Sequence, residues 1–467
     1  MDLRSVGQPR RSSAKRRAAR RLLAGAARSN VTPPLGVSIP GEMFPRQATH
    51  IHDELQARSL VLDNGERRIA IVECDAIALG RQPIVRAKRL IRKHTGISHV
   101  LIAATHTHEG GPTASVFRSG ADPKYLDWLA VRIADSVRRA VNNLRPAQIG
   151  WGVGCEGRCV FNRRYFMKPG TIPPDPWGNM TDAVQMNPGY ENPNIVKPAG
   201  PVDPDLSVVA VRDVEGDPIA ILANYTLHYV GGERSGDISA DYYGVWADIL
   251  EREWPRRTAA ARPPFVAIMT NGCSGNINNI AVRRTLRQPY PYHQMNKVAR
   301  RIADESLRVL RRIKWRDWAA LAVCETTVKL GVRKPSSREV CDARRVLKQA
   351  GAVPDSLEAI YARETVGMAN WPDSIEAPMQ AIRLGDVGIV AFPGEAFVEL
   401  GLEVKRESPF PVTFAVDLGN DYLGYIPTVA AHAQGGYETW RARSSFLERD
   451  AAPVLVSAAL ELLKKCR

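Results

Sequence analysis

The chain has 467 residues, 44% of them hydrophobic and 24% charged, enough apolar material for a large core and too much for an intrinsically disordered protein. No apolar run approaches the roughly 20 residues that cross a bilayer as a helix, so a helical membrane protein is excluded. The formal net charge is +15, and residues 1–30 carry nine basic side chains against one acidic, so much of the basic excess lies in an N-terminal arm. That arm, residues 1–29, reads as a solvated, flexible extension, with peripheral contact to an anionic membrane as the sharper alternative. Its apolar stretch Leu22-Leu23-Ala24-Gly25-Ala26-Ala27 is too short for an export signal, which sets the expectation of a cytoplasmic protein.

One ordered domain is expected over residues 30–467. Residues 59–62 and 69–72 are β-rich runs joined through Asp63-Asn64-Gly65, a hairpin signal. Residues 83–93 repeat apolar side chains at helical spacing and are followed by Gly96. Residues 100–104 form a continuous apolar run, as in a strand covered on both faces. The Pro- and Gly-rich span 168–204 is expected to be a functional loop. A second hairpin joins residues 206–211 and 219–223, and residues 265–270 are another buried strand. A surface helix follows at 295–313, then a strand at 387–392, a helix at 396–407, a strand at 412–416 and a closing helix at 453–465. Strands and helices alternate throughout, so the class is α/β, with buried mixed sheets flanked by helices.

The seven cysteines are scattered, and only Cys155 and Cys159 are close. A four-thiolate zinc site is therefore excluded. Buried free thiols are expected, with a Cys155–Cys159 disulfide as the alternative.

Donor residues cluster just past the apolar strands. Thr105-His106-Thr107-His108 follows the run at 100–104, and residues two apart in an extended segment face the same side. His228 follows residues 219–223, Glu395 follows 387–392 through Pro393-Gly394, and Tyr422 and Tyr425 follow 412–416. Carboxyl ends of buried strands are where α/β proteins gather ligands. Spacing alone leaves Glu395 equally readable as a first-turn carboxylate on a helix dipole. His52-Asp53, Asp75 and Asp241 are candidates for orienting the ligands.

In order, Thr105-His106-Thr107-His108 with Gly111-Pro112, Asn162-Arg163, His228, Ile238-Ser239-Ala240-Asp241, Gly275-Asn276, Pro393-Gly394-Glu395, Asn420-Asp421-Tyr422 with Tyr425, and Tyr437-Glu438 resemble the catalytic domain of the neutral ceramidases. These are zinc amidases that split the N-acyl bond of ceramide. The resemblance implies zinc ligands at His106, His228, Glu395 and Tyr425. It implies substrate or transition-state contacts at His108, Arg163 and Tyr437, and hydrolysis of an N-acyl amide by zinc-activated water. A small-molecule or lipid substrate follows, and no nucleic-acid partner is expected.

Two departures stand out. Asn278 occupies the position of a serine that the family's Gly-Asp/Asn-x-Ser-Pro-Asn motif carries, so serine nucleophilic catalysis is not expected. The chain also leaves no room for the C-terminal immunoglobulin-like domain of the secreted relatives. The alternatives are a zinc hydrolase acting on an ester, lactone or non-lipid amide, and a non-catalytic binding protein that keeps the fold.

Overall fold

The computed structural model describes residues 21–232, 234–254, 263–284, 290–350 and 356–467. An eight-stranded sheet runs in the order Val266–Asn271, Pro218–Tyr225, Asp205–Asp213, Arg145–Cys155, Leu22–Asn30, Gln56–Asp63, Arg68–Cys74, His99–Ala104. The outermost pair at each edge is parallel and the interior pairs are antiparallel. A four-stranded sheet, Leu321–Gly331, Ser374–Leu384, Val387–Ala391 and Val412–Val416, faces it, and its last pair is parallel. Leu60, Ile71 and Val209 from the first sheet meet Ile382, Ile389 and Phe414 from the second in one buried cluster.

Helices cover the outer faces. Arg81–Thr95 and Pro123–Asn142 pack on one half of the large sheet, and Asp241–Glu253 and His293–Leu310 on the other. Val398–Glu407 and Ala451–Cys466 cover the small sheet. The result is a helix–sheet–sheet–helix stack, the mixed α/β arrangement expected from the sequence. Among the described residues no helix is long and apolar enough to cross a membrane.

The first hairpin forms as read, with Asp63 opposite Arg68 and Gly65 at φ +81°, a conformation that a Cβ would strain. The arm boundary needs correction. Leu22–Asn30 is an interior strand of the large sheet, inside the segment assigned to the extension, while residues 1–20 lie outside the described residues. Its small residues hid it. A Cβ on Gly25 would collide with the backbone of Ala140 and Asn143, so this strand stays slim to let the helix Pro123–Asn142 settle on it. The span 168–204 is not wholly irregular either. Val184–Met186 and Ile195–Pro198 flank Arg164–Met167 in a small antiparallel sheet. All seven cysteines are free, but only Cys74, Cys159, Cys273 and Cys466 are buried; Cys155 and Cys341 are exposed.

The large sheet coils strongly. Strands Val266–Asn271 and His99–Ala104 lie at its opposite edges, yet some of their Cα atoms come within 8 Å of one another. The coiling carries the carboxyl ends of both parallel edge pairs to one place, beside the end of Val412–Val416, where Asp417 N–H donates to Asn271 O and Asn420 N–H to Ile102 O.

Candidate metal centre

At that junction three imidazoles meet. His106 Nε2 lies 3.1 Å from His228 Nε2 and 3.4 Å from His108 Nε2. All three side chains are buried. Among the described residues they form a group whose donor atoms all lie within 4.8 Å of one another. Glu395 Oε2 joins them, 3.3 Å from His106 Nε2 and 3.9 Å from His228 Nε2.

Each donor is placed by the backbone. His106 follows its strand directly and adopts φ +73°, a left-handed conformation that is costly for a residue with a Cβ and is held here by His106 N–H donating to Ala76 O. Glu395 sits in a two-residue parallel bridge with Tyr425 at its partner position, rather than in a helix first turn; the helix starts at Val398. This settles its alternative reading as a dipole-stabilised carboxylate against the helix. Gly275 runs so close behind that a Cβ there would lie 2.5 Å from Glu395 O. Gly275→Ala is expected to cost about 1–3 kcal/mol, as overpacking does. A thermal midpoint unchanged from the parent would contradict this close approach.

The other ring nitrogens fix the tautomers. His106 Nδ1 lies 2.7 Å from Ile77 O and His228 Nδ1 3.2 Å from Ser274 O. A carbonyl only accepts, so each Nδ1 carries a hydrogen, which leaves Nε2 as the nitrogen that each ring turns inward. Burial, then His106, Arg163 and His108, pushes the His228 pKa well below its ordinary value, so that ring is neutral. Burial, then His106, Arg46 and Arg163, does the same to His108. Two inward Nε2 atoms 3.1 Å apart, with Glu395 Oε2 3.3 Å from the first, form a donor set that a cation between them would satisfy. Two nitrogens with carboxylate and phenol oxygens suit a borderline divalent ion such as zinc.

Arg163 closes the far side. Its Nη1 is 3.3 Å from His228 Nε2, and its Nη2 donates to Gly275 O at 2.7 Å and to Tyr425 OH at 3.1 Å. Its Nε donates to Glu438 Oε1 at 2.9 Å, while Arg164 Nη1 takes Glu438 Oε2 at 2.7 Å. Tyr437 stands edge-on to Tyr425 with ring centroids 5.8 Å apart. Burial, reinforced by Glu395, pushes the Tyr425 phenol well above its ordinary pKa despite Arg163, so without a cation it keeps its proton.

All seven residues singled out by sequence, His106, His108, Arg163, His228, Glu395, Tyr425 and Tyr437, therefore occupy one neighbourhood. Tyr422, grouped with Tyr425 in the sequence, donates its OH to Glu395 Oε1 at 2.9 Å. Other supports escaped the sequence reading. The Tyr229 ring stacks on His108 at 3.6 Å. The carbonyls of Ile77 and Ser274 orient the ligand rings, a role sequence had offered to His52-Asp53, Asp75 and Asp241. His52 instead stacks on Tyr292, Asp75 pairs with Arg58, and Asp241 accepts from Val230 and Gly231 N–H, just beyond His228. No side-chain motif marks a backbone carbonyl, so those two orienting groups had no sequence signal.

No family profile matches the chain. By sequence it is 22% identical to neutral ceramidase B of Dictyostelium discoideum over 256 residues, 52% of this chain and 33% of that protein. It is 24% identical to the neutral ceramidase of Pseudomonas aeruginosa over 241 residues, 49% of this chain and 32% of that protein. The matched segment thus spans about a third of each of these relatives. The crystal structure of the Pseudomonas aeruginosa neutral ceramidase superposes with a TM-score of 0.70 at 16% identity, covering 96% of this chain and 74% of that one. The chain has the fold of the neutral ceramidases and is similar to them in sequence. A ceramidase solved in complex with C2 gives the same TM-score over 95% of the chain. The ceramidase likeness therefore runs through both sheets and all the strand ends that carry the cluster.

Proposed function

We propose that the protein is a metal-dependent hydrolase of the neutral ceramidase type, cleaving an N-acyl amide, with His106, His228, Glu395 and Tyr425 as the residues that hold the ion. The observation that carries this reading is the inward convergence of His106 Nε2 and His228 Nε2 on the buried Glu395 Oε2. A divalent ion held there supplies positive charge that polarises a carbonyl and acidifies water.

The remaining work falls to the chain's own groups. His108 is neutral and presents Nε2 to the cluster, so it takes the proton from the attacking water at that atom and returns it to the departing amine. An amine cannot leave as an anion, which makes that return obligatory. Arg163, held charged and oriented by Glu438, aims Nη1 into the same space and stabilises the oxyanion that forms on the carbonyl. Tyr437, edge-on to Tyr425, contacts the substrate beside the ion. Asn278 Nδ2 donates to Asn187 Oδ1 at 2.6 Å, so the position where relatives carry a serine is tied down as a structural amide and supplies no hydroxyl nucleophile.

Support for an acyl substrate comes from a cavity of about 590 Å³ beside the cluster, walled by Val116, Val332, Trp371, Ile375, Leu423 and Phe446. Tyr422 belongs to both, its ring lining this cavity and its hydroxyl on Glu395. The test is metal analysis of the purified protein with a panel of N-acyl amides, esters and lactones, each with and without chelator. Hydrolysis that survives complete metal removal rejects the reading. Preference for a short polar ester over every N-acyl amide moves the substrate class to the alternative. His108→Ala is expected to keep its metal and lose about 10²–10⁴-fold in turnover. Loss of the metal from that variant would instead make His108 a ligand.

A further inference from the structure

A second cavity, of about 750 Å³, lies away from the histidine cluster between the helix His293–Leu310, the turn at 157–158 and the segment 279–284. Its apolar lining includes Tyr165 and Val282, both buried, with Phe161 and Tyr190 beside them. Among the described residues five cations line it, Arg158, Arg283, Arg284, Lys297 and Arg301, and no carboxylate does. Glu156 neutralises only Arg158 by direct hydrogen bonds. Among the described residues none of Arg283, Arg284, Lys297 or Arg301 forms an ion pair; Arg301 Nη1 reaches only Cys159 Sγ, at 3.8 Å. Lys297 and Arg301 are one helical turn apart, a spacing at which like charges repel and weaken a helix unless an anion lies between them. The volume is that of a small-molecule site, with apolar walls inside and cations at the mouth.

We propose that this cavity binds a soluble phosphate or sulfate monoester with a flat apolar body. The anion is held by Lys297, Arg301, Arg283 and Arg284, and the body lies against Tyr165 and Phe161. Arginine forks match the oxygens of such an anion two at a time, and charge-assisted bonds of this kind are the strong ones. The aromatic floor selects a monoester over the bare ion. Membrane phosphate shares the anion chemistry, but here the cations surround a recessed apolar floor, which a headgroup on a bilayer surface does not fill. The proposal is independent of the hydrolase reading, because none of these residues touches the cluster.

The test is calorimetric titration of the full-length protein with phenyl phosphate, inorganic phosphate and phenol, alongside co-sedimentation with phosphatidylcholine vesicles containing phosphatidic acid. Phenyl phosphate is expected to bind about tenfold or more tighter than either fragment, and to weaken as salt rises. The double variant Lys297→Glu/Arg301→Glu should lose that binding by about tenfold or more while keeping its metal content and circular dichroism. Arg283→Ala/Arg284→Ala provides the same readout from a loop should the helix variant misfold. Equal binding by parent and both variants overturns the site. Phenol binding as tightly as phenyl phosphate overturns the anion assignment. Variant-sensitive vesicle binding without phenyl phosphate binding overturns the soluble ligand in favour of lipid.

Discussion

Glu395→Ala protein should fold, bind its metal at least about a hundredfold more weakly, and lose on the order of 10³-fold or more in amide turnover. Loss of an outer partner of a ligand typically costs about 10–100-fold in metal affinity, and loss of a ligand costs more. The structure supplies the calibrating variant. Tyr422→Phe removes only the hydroxyl 2.9 Å from Glu395 Oε1, so it should fall in that smaller range. Metal affinity by competition with a chromophoric chelator, and turnover in saturating metal, separate the two effects. A Glu395→Ala enzyme with parental affinity removes the carboxylate from the ligand set and leaves His106, His228 and Tyr425 as the donors. The same result would leave Tyr422 as a wall residue of the apolar cavity.

Glu438→Gln should cost roughly 3–5 kcal/mol of stability, the range for breaking a buried ion pair by removing one partner. Glu438 is fully buried, and among the described residues it alone pairs with both Arg163 and Arg164. Burial opposes its charged form, but Arg164 and Arg163 outweigh burial and hold its pKa below the ordinary 4.5. A carboxylate depressed in the fold contributes stability above its unfolded value, and that contribution disappears as pH falls through the folded value. The gap between parent and Glu438→Gln should therefore be full at neutral pH and shrink as pH drops below about 4.5. Urea midpoints of both proteins across that range, in excess chelator so that metal loss adds nothing, give the measurement. A gap that stays constant or widens on acidification contradicts the depressed carboxylate.

The sequence showed the site more clearly than the scaffold around it. Apolar runs ending in His106, His228 and Glu395 are visible because a strand buried on both faces is written in consecutive hydrophobic residues. The strand Arg145–Cys155 is not, because glycines interrupt it. Gly150, Gly152 and Gly154 are there for clearance, since side chains at these positions would run into Ile313, Val309 and Glu305 on or just beyond the helix His293–Leu310. Leu22–Asn30 was hidden for the same reason. The helix Pro123–Asn142 was passed over although its signals are plain. Asp122 caps Lys124 and Tyr125 N–H, Pro123 opens the first turn, and Leu129, Ile133 and Val137 recur every fourth residue. What no pattern reveals is the curl of the large sheet, because it comes from twist summed over eight strands and has no local sequence mark.

That curl has a thermodynamic consequence. His106 follows an edge strand and His228 the strand next to the opposite edge, and Glu395 and Tyr425 belong to the other layer, so an unfolded chain offers no preassembled donor set. An ion binding only the folded form raises the unfolding free energy by RT ln(1 + [M]/Kd), with [M] the free metal concentration, which is about 4 kcal/mol at a thousandfold excess over Kd. On the proposed metal-dependent reading, metal supply would set the protein's stability as well as its turnover. Under scarcity, apo protein would be the fraction that opens first along the seam where the two hems of the sheet meet.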